Sequence, residues 1–262
     1  MTGQELVTHL RESILDDAVV PYLWTDTELL RFLNYAEVQA CRRAHLLIDG
    51  TTANDSGTAG TAGTLGQKPL CSLTLAGGQA TYNLSPKILM IKRCQIKTMA
   101  SPLTGPVSYD ELDEYSSGWF GTSGTVGTSG TASTIGTLGT TPVLGPTGWP
   151  SFFMNEPPNT ITFVLAPACA DTAYLVVSRI PLMSFTLQTS PEIEEKYHEG
   201  LCNWAGHLAF MKPDSETLNL NLAKSYEGRF DALFGPLPTA LAERWRKTLS
   251  MKQRMRARAF GE

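Results

Sequence analysis

Three side chains stand at a spacing that could build a metal site on one helix face: Glu194, His198 and Cys202, at i, i+4 and i+8. A carboxylate, an imidazole and a thiolate together would suit a zinc-like ion. Metal sites usually draw ligands from more than one element, and His207 falls on another face of the same helix. We therefore read Tyr197-His198-Glu199 as the edge of a packed helix with Cys202 inside it, and expect no metal and no cofactor. His9 and His45 have no carboxylate or thiol partner close by in sequence and read as surface or cap residues. The Gly-Thr run at 57–66 superficially suggests a phosphate-cradling loop, but it lacks the lysine and the strand-to-helix setting that such a loop needs. GxxxxGK[ST], GxGxxG, GxSxG and HExxH are all missing, so an enzyme is not expected.

A different signal sits at the chain's end. Residues 241–262 carry seven basic side chains (Arg244, Arg246, Lys247, Lys252, Arg254, Arg256 and Arg258) against Glu243 and Glu262, a net of +5. The other 240 residues carry 14 basic and 23 acidic side chains, a net of −9. Asymmetry of this kind marks an interaction segment more than a solvated helix face. Trp245, Leu249, Met251, Met255 and Phe260 interleave with the charges. Apolar anchors of that type favour a protein groove over a bare phosphate backbone.

Several elements must hold these residues in place. Leu6, Leu10 and Ile14 recur every four residues, predicting a short amphipathic helix over 4–16 that Pro21 separates from the next element. Thr25-Asp26-Thr27-Glu28 is a capping box, and the helix it opens is expected to run to about Leu47 and stop at Asp49-Gly50. Leu70–Leu75, a turn at Ala76-Gly77-Gly78, and Gln79–Leu84 read as a hairpin. Ile88–Met99, Ile161–Leu165 and Ala173–Ile180 read as further strands, and Tyr109–Tyr115 as one or two helical turns. Ser190-Pro191-Glu192 restarts helix, with a stripe of Ile193, Tyr197, Leu201, Trp204, Leu208 and Met211. After Lys212-Pro213-Asp214 a second helix shows Leu218, Leu222, Tyr226, Phe230 and Leu233, ending at Gly235-Pro236, so the two should form an αα-hairpin.

Composition frames this reading. The chain has 262 residues, 42% hydrophobic and 18% charged, with a net charge of −4. That is enough apolar material for a core and argues against a globally basic nucleic-acid binder. The low charge is local, because Tyr115 to Asn155 holds no charged residue at all. The five cysteines are odd in number and contain no CxxC pair, which suits structural thiols in a reducing compartment. No apolar run approaches the ~18 residues needed to cross a bilayer, and the opening Met1-Thr2-Gly3-Gln4-Glu5 does not resemble a signal peptide, so a soluble, non-secreted protein with no membrane partner is expected. The two low-complexity inserts, 57–66 and 121–141, should be long exposed loops ordered by neighbouring chains.

Val20-Pro21-Tyr22-Leu23-Trp24-Thr25-Asp26-Thr27-Glu28-Leu29-Leu30, continuing through Asn34-Tyr35-Ala36 to Cys41-Arg42-Arg43-Ala44, resembles the opening of tailed-phage head–tail connector (adaptor) proteins. The likeness continues at Gly77-Gly78-Gln79-Ala80-Thr81-Tyr82-Asn83-Leu84, at Pro191, Tyr197-His198-Glu199 and Trp204-Ala205, and around Phe230 to Gly235. The Gly-Thr inserts depart from the family pattern.

The resemblance implies an α+β fold: a helical bundle from both chain ends, residues 1–50 and 190–262, with an inserted antiparallel β-domain, 51–189, bearing the Gly-Thr-rich loops. It further implies a structural part of the virion, assembled in the host cytoplasm as a ring, usually dodecameric, beneath the portal. Such a ring binds the portal and tail or nozzle proteins, and DNA passes through it without sequence recognition. On this reading the portal-binding residues are Arg244, Trp245, Arg246, Lys247, Leu249, Lys252, Arg254, Met255, Arg256 and Arg258. The competing reading is a nucleic-acid-binding accessory protein that uses the same basic tail directly.

Overall fold

The computed structural model describes residues 1–50, 68–115, 147–156, 159–213 and 218–248; both Gly-Thr inserts lie outside them. The elements in chain order are α1 (Gly3–Leu10), prolonged by a π-helical turn at Arg11–Leu15, then α2 (Asp26–Ala44), β1 (Leu47–Gly50), α3 (Lys68–Cys71), β2 (Ser72–Leu75), β3 (Thr81–Asn83) and β4 (Ile88–Ile96). There follow α4 (Tyr109–Tyr115), β5 (Thr147–Gly148), β6 (Phe152–Glu156), β7 (Thr160–Val164), β8 (Ala166–Pro167) and β9 (Asp171–Arg179). A 3₁₀ turn at Glu195–Tyr197 leads into α5 (His198–Phe210), α6 (Leu220–Phe234) and α7 (Ala240–Thr248). The class is α+β.

Two compact units result. One holds residues 1–48 and 178–239; the other holds 49–177 and α7. Residues 178–189, read from the sequence with the β part, thus group with the helices, because Asn34 and the first turn of α1 bind their backbone. Residues 240–248, read with the helices, group with the sheets, because α7 lies against β4 and β6.

In the helical unit, α1, α2, α5 and α6 share one core. Leu6 and Leu10 meet Leu29, Leu33, Ala36 and Ala40 from α2, and Leu201, Ala205, Phe230 and Phe234 complete it. Local chemistry starts each helix. Glu28 N–H donates to Thr25 Oγ1 at 3.3 Å while Thr25 N–H donates to Glu28 Oε2 at 3.2 Å, the reciprocal box expected for α2. Thr2 and Glu5 build a second box on α1. Helix α2 stops at Ala44, three residues short of the expected end. His45 takes the left-handed conformation there (φ 51°), its N–H closing on Cys41 O, and the chain turns into β1.

Two helix expectations need correction. The segment after Ser190-Pro191 does not continue into helix, and α5 begins only at His198. The N–H groups of Glu192 and Ile193, which an early helix would aim at a Ser190 cap, donate instead to the buried Glu37 carboxylate. The α6 stripe is also rotated: Ala223, Phe230 and Phe234 are buried, whereas Leu218, Leu222 and Leu233 are exposed. Ring packing sets that rotation, with Phe230 centred 5.0 Å from Trp204 and 4.6 Å from Phe234. Met211 likewise lies outside the packed face of α5.

In the other unit, β9 pairs with β1, β2 and β4, and β7 pairs antiparallel with β3 and β6, while β5 and β8 form a short parallel pair. The expected hairpin of 70–84 does not form. Its first strand pairs with β9 (Ser72↔Tyr174) and its second with β7 (Thr81↔Thr162). The Gly77-Gly78 turn is present, but its polar groups serve other partners. Gly78 N–H donates to Pro167 O, and Ala76 N–H donates to the Tyr82 hydroxyl at 2.8 Å. One core joins these sheets: Leu75, Ile91, Cys94 and Ile96 pack with Phe153, Ile161, Phe163, Leu175 and Val177.

Candidate partner-binding surfaces

The residues that could have held a metal are occupied otherwise. His198 Nε2 lies 3.0 Å from Ile193 O, the Cys202 thiol donates to Leu6 O at 3.9 Å, and Glu194 precedes the helix and pairs with Lys196. Among the described residues no group of three or more His, Cys, Asp or Glu could hold a metal ion. Three thiols are held neutral by burial, which pushes Cys94 and Cys202 up to about 12 and raises Cys41 as well. His45, read as a cap residue, is the C-cap of α2 and reaches Ser178 Oγ at 3.0 Å.

Of the ten candidate tail residues, four lie on α7: Arg244, Trp245, Arg246 and Lys247. Leu249, Lys252, Arg254, Met255, Arg256 and Arg258 lie outside the described residues. Leu241 is 60% exposed and Trp245 57%, and their i, i+4 spacing places them on one face of the helix. Arg244 and Arg246 are exposed beside them, Arg246 in the last turn, where a cation complements the backbone dipole. The helix backs onto β4 and β6 and offers an apolar stripe rimmed by positive charge.

A second surface, not anticipated from the sequence, occupies the connection between α1 and α2. Val19 (80% exposed), Val20, Tyr22 and Leu23 all project from it. Beneath them Arg11, itself buried, donates to Asp17 Oδ2 (2.6 Å), Asp26 Oδ1 (2.6 Å) and Trp24 O (2.7 Å), with its guanidinium 4.0 Å from the Tyr22 ring centre. Asp17 in turn accepts the Leu23 and Trp24 N–H groups, and Trp24 is sunk into the helical core. Charge pattern was the available signal: residues 12–28 hold five acidic side chains and no Lys or Arg. This stretch is also where the sequence most resembles head–tail connectors, and the geometry shows what its motif does. Trp24 anchors, Asp17 and Asp26 hold Arg11, and Thr25 with Glu28 caps.

The family model of the SU10 adaptor protein matches residues 1–256. The chain belongs to the SU10 adaptor family. This agrees with the resemblance to phage head–tail connectors and makes the adaptor chain a bacteriophage protein and a virion component. No curated protein matches it. No described helix of the adaptor is long and apolar enough to cross a membrane. Its motif residues cap, clamp and pack.

Proposed function

We propose that this chain is the subunit of a ring, dodecameric as in the connectors it resembles, that sits beneath the portal, joins it to tail or nozzle proteins and lines part of the DNA exit path. Helices from both chain ends form the ring body, and the segment from α7 onward docks on the portal. The observation that carries this reading is α7 itself, with exposed Leu241 and Trp245 beside Arg244 and Arg246, inside a segment (residues 241–262) of net +5 on a chain otherwise at −9. Positive charge steers the segment toward an acidic groove, and desolvated apolar anchors hold it there. On this reading the DNA contacts are those of a channel wall and carry no sequence preference.

Attachment to portal-containing heads tests the assignment. Because α7 packs on β4 and β6, the chain should be cut after Thr248, which leaves that helix in place. The truncated protein should stay folded and attach markedly more weakly, since only the α7 part of the docking segment remains. Replacing Trp245 and Leu249 together should weaken attachment more than neutralising any two arginines, since exposed ion pairs are worth only about 0–1 kcal/mol. Undiminished attachment of the truncated protein, with the free tail binding duplex DNA in a steeply salt-dependent way, would favour the nucleic-acid-binding reading instead.

A further inference from the structure

We propose that Glu37 is a proton-controlled latch on the 181–194 segment, holding it against α2 when protonated and loosening it when ionised. The segment contains no helix or strand, so side chains and isolated backbone bonds fix it. Asn34 accepts Phe185 N–H at 2.8 Å and donates to Phe185 O at 3.0 Å, while Gly3 and Gln4 N–H donate to Thr189 O and Leu187 O. The far end hangs on Glu37, which is 1% exposed and whose Oε1 accepts Glu192 N–H at 2.6 Å and Ile193 N–H at 3.3 Å. Glu192 turns its own carboxylate back onto the segment, accepting Leu182 N–H at 2.7 Å, Met183 N–H at 3.2 Å and the Arg179 guanidinium.

Two carboxylates therefore stand near one guanidinium, Glu37 and Arg179 buried and Glu192 at the rim with 19% of its side chain exposed. With both ionised the group carries a net −1 largely away from water; with one proton it is neutral. That imbalance is the physical basis of the latch. Burial raises the Glu37 carboxyl to about 7, helped by Glu192 and opposed by the two amide bonds and Arg179. Cys41, one turn along α2, is neutral because burial raises its thiol. His198 holds Ile193 O from the other side, and burial lowers its pKa, so it acts at lower pH and in the opposite sense.

The sign follows from linkage. In the closed form Glu37 keeps its proton up to about pH 7, while in an opened form it reverts to an ordinary glutamate near 4.3–4.5. The latch is fully engaged below the lower value, weakens as pH rises through the upper one and stays weak beyond it. Met183, already 74% exposed, and the buried Phe185 and Ile193 would then become available on a loosened surface.

Amide hydrogen exchange on the full chain tests this, corrected for the intrinsic pH dependence, at Leu182, Met183, Glu192 and Ile193. Between about pH 5 and pH 8 protection in the unmodified protein should fall on the order of a hundredfold. In Glu37→Gln, whose amide carries no titrating proton, it should not follow pH through this window. Should that variant fail to fold, the carbon-13 titration of the Glu37 carboxyl in the unmodified protein decides the matter: a midpoint near 7 supports the latch. A midpoint in the ordinary glutamate range, or the same exchange profile in both proteins, overturns it.

Discussion

Arg43 on α2 donates to the carboxylate of Asp231 on α6, 188 positions further along the chain. Its guanidinium also lies 4.6 Å from the Trp204 ring centre and 4.8 Å from that of Phe230, and donates to Gly235 O. One side chain thus ties three helices of the bundle together.

Asp231→Ala should destabilise the chain by about 1–3 kcal/mol in urea unfolding, because it strips the partner from a buried cation whose carboxylate is itself partly screened. Adding Arg43→Met should restore part of that loss, since an apolar side chain of similar length removes the orphaned charge. A double variant less stable than the single one would show that the pair is not held in this way.

Trp204 is 7% exposed, with its ring against Phe230, His207 and the Arg43 guanidinium. Trp204→Ala should cost about 3–5 kcal/mol, as is usual for truncating a buried large aromatic. A loss below about 1 kcal/mol would remove Trp204 from the core.

The Arg11–Asp17 pair is buried on both sides, and Asp17 also accepts two backbone N–H groups of the connection above it. Asp17→Asn should cost about 1–3 kcal/mol by removing the buried carboxylate from the pair, with Asp26 still holding the guanidinium. It should also expose residues 18–23 to protease, while equal cleavage rates in both proteins would mean that the clamp does not order the connection.

The α2 cap predicts a response to acid. Thr25 backbone bonding, with help from Lys212, holds the Glu28 carboxyl below its usual value. A depressed carboxylate contributes stability above its unfolded pKa and loses it as pH falls through the folded one. Glu28→Ala should therefore cost about 1 kcal/mol at neutral pH, with the difference shrinking in acid as the wild-type carboxyl is protonated. A difference that grows on acidification would contradict the cap.

The sequence made the caps legible because a capping box is local: Thr25 and Glu28 need only each other, and Thr2 with Glu5 repeats the pattern at a site that periodicity alone did not pick out. The strands were legible as strands for the same reason. Their partners were not, since Ser72 pairs across about a hundred residues to Tyr174 and nothing near Gly77-Gly78 encodes that choice. The α6 face was misread because leucines at 218, 222 and 233 match a helical period as well as Ala223, Phe230 and Phe234 do. Only the rings of Trp204 and Phe230, brought together by the fold, decide between them. Of the candidate site, charge asymmetry marked the tail, but the exposed Val19–Leu23 surface depends on Arg11, Asp17 and Asp26 converging in space.

Whether this chain docks on the portal is measured by mixing the full chain with purified portal rings and imaging the complexes by electron microscopy. A saturable complex is expected, with a ring of this chain on one end of the portal, markedly weakened when the segment after Thr248 is removed. A chain that leaves the portal bare under conditions where it binds duplex DNA would contradict this docking.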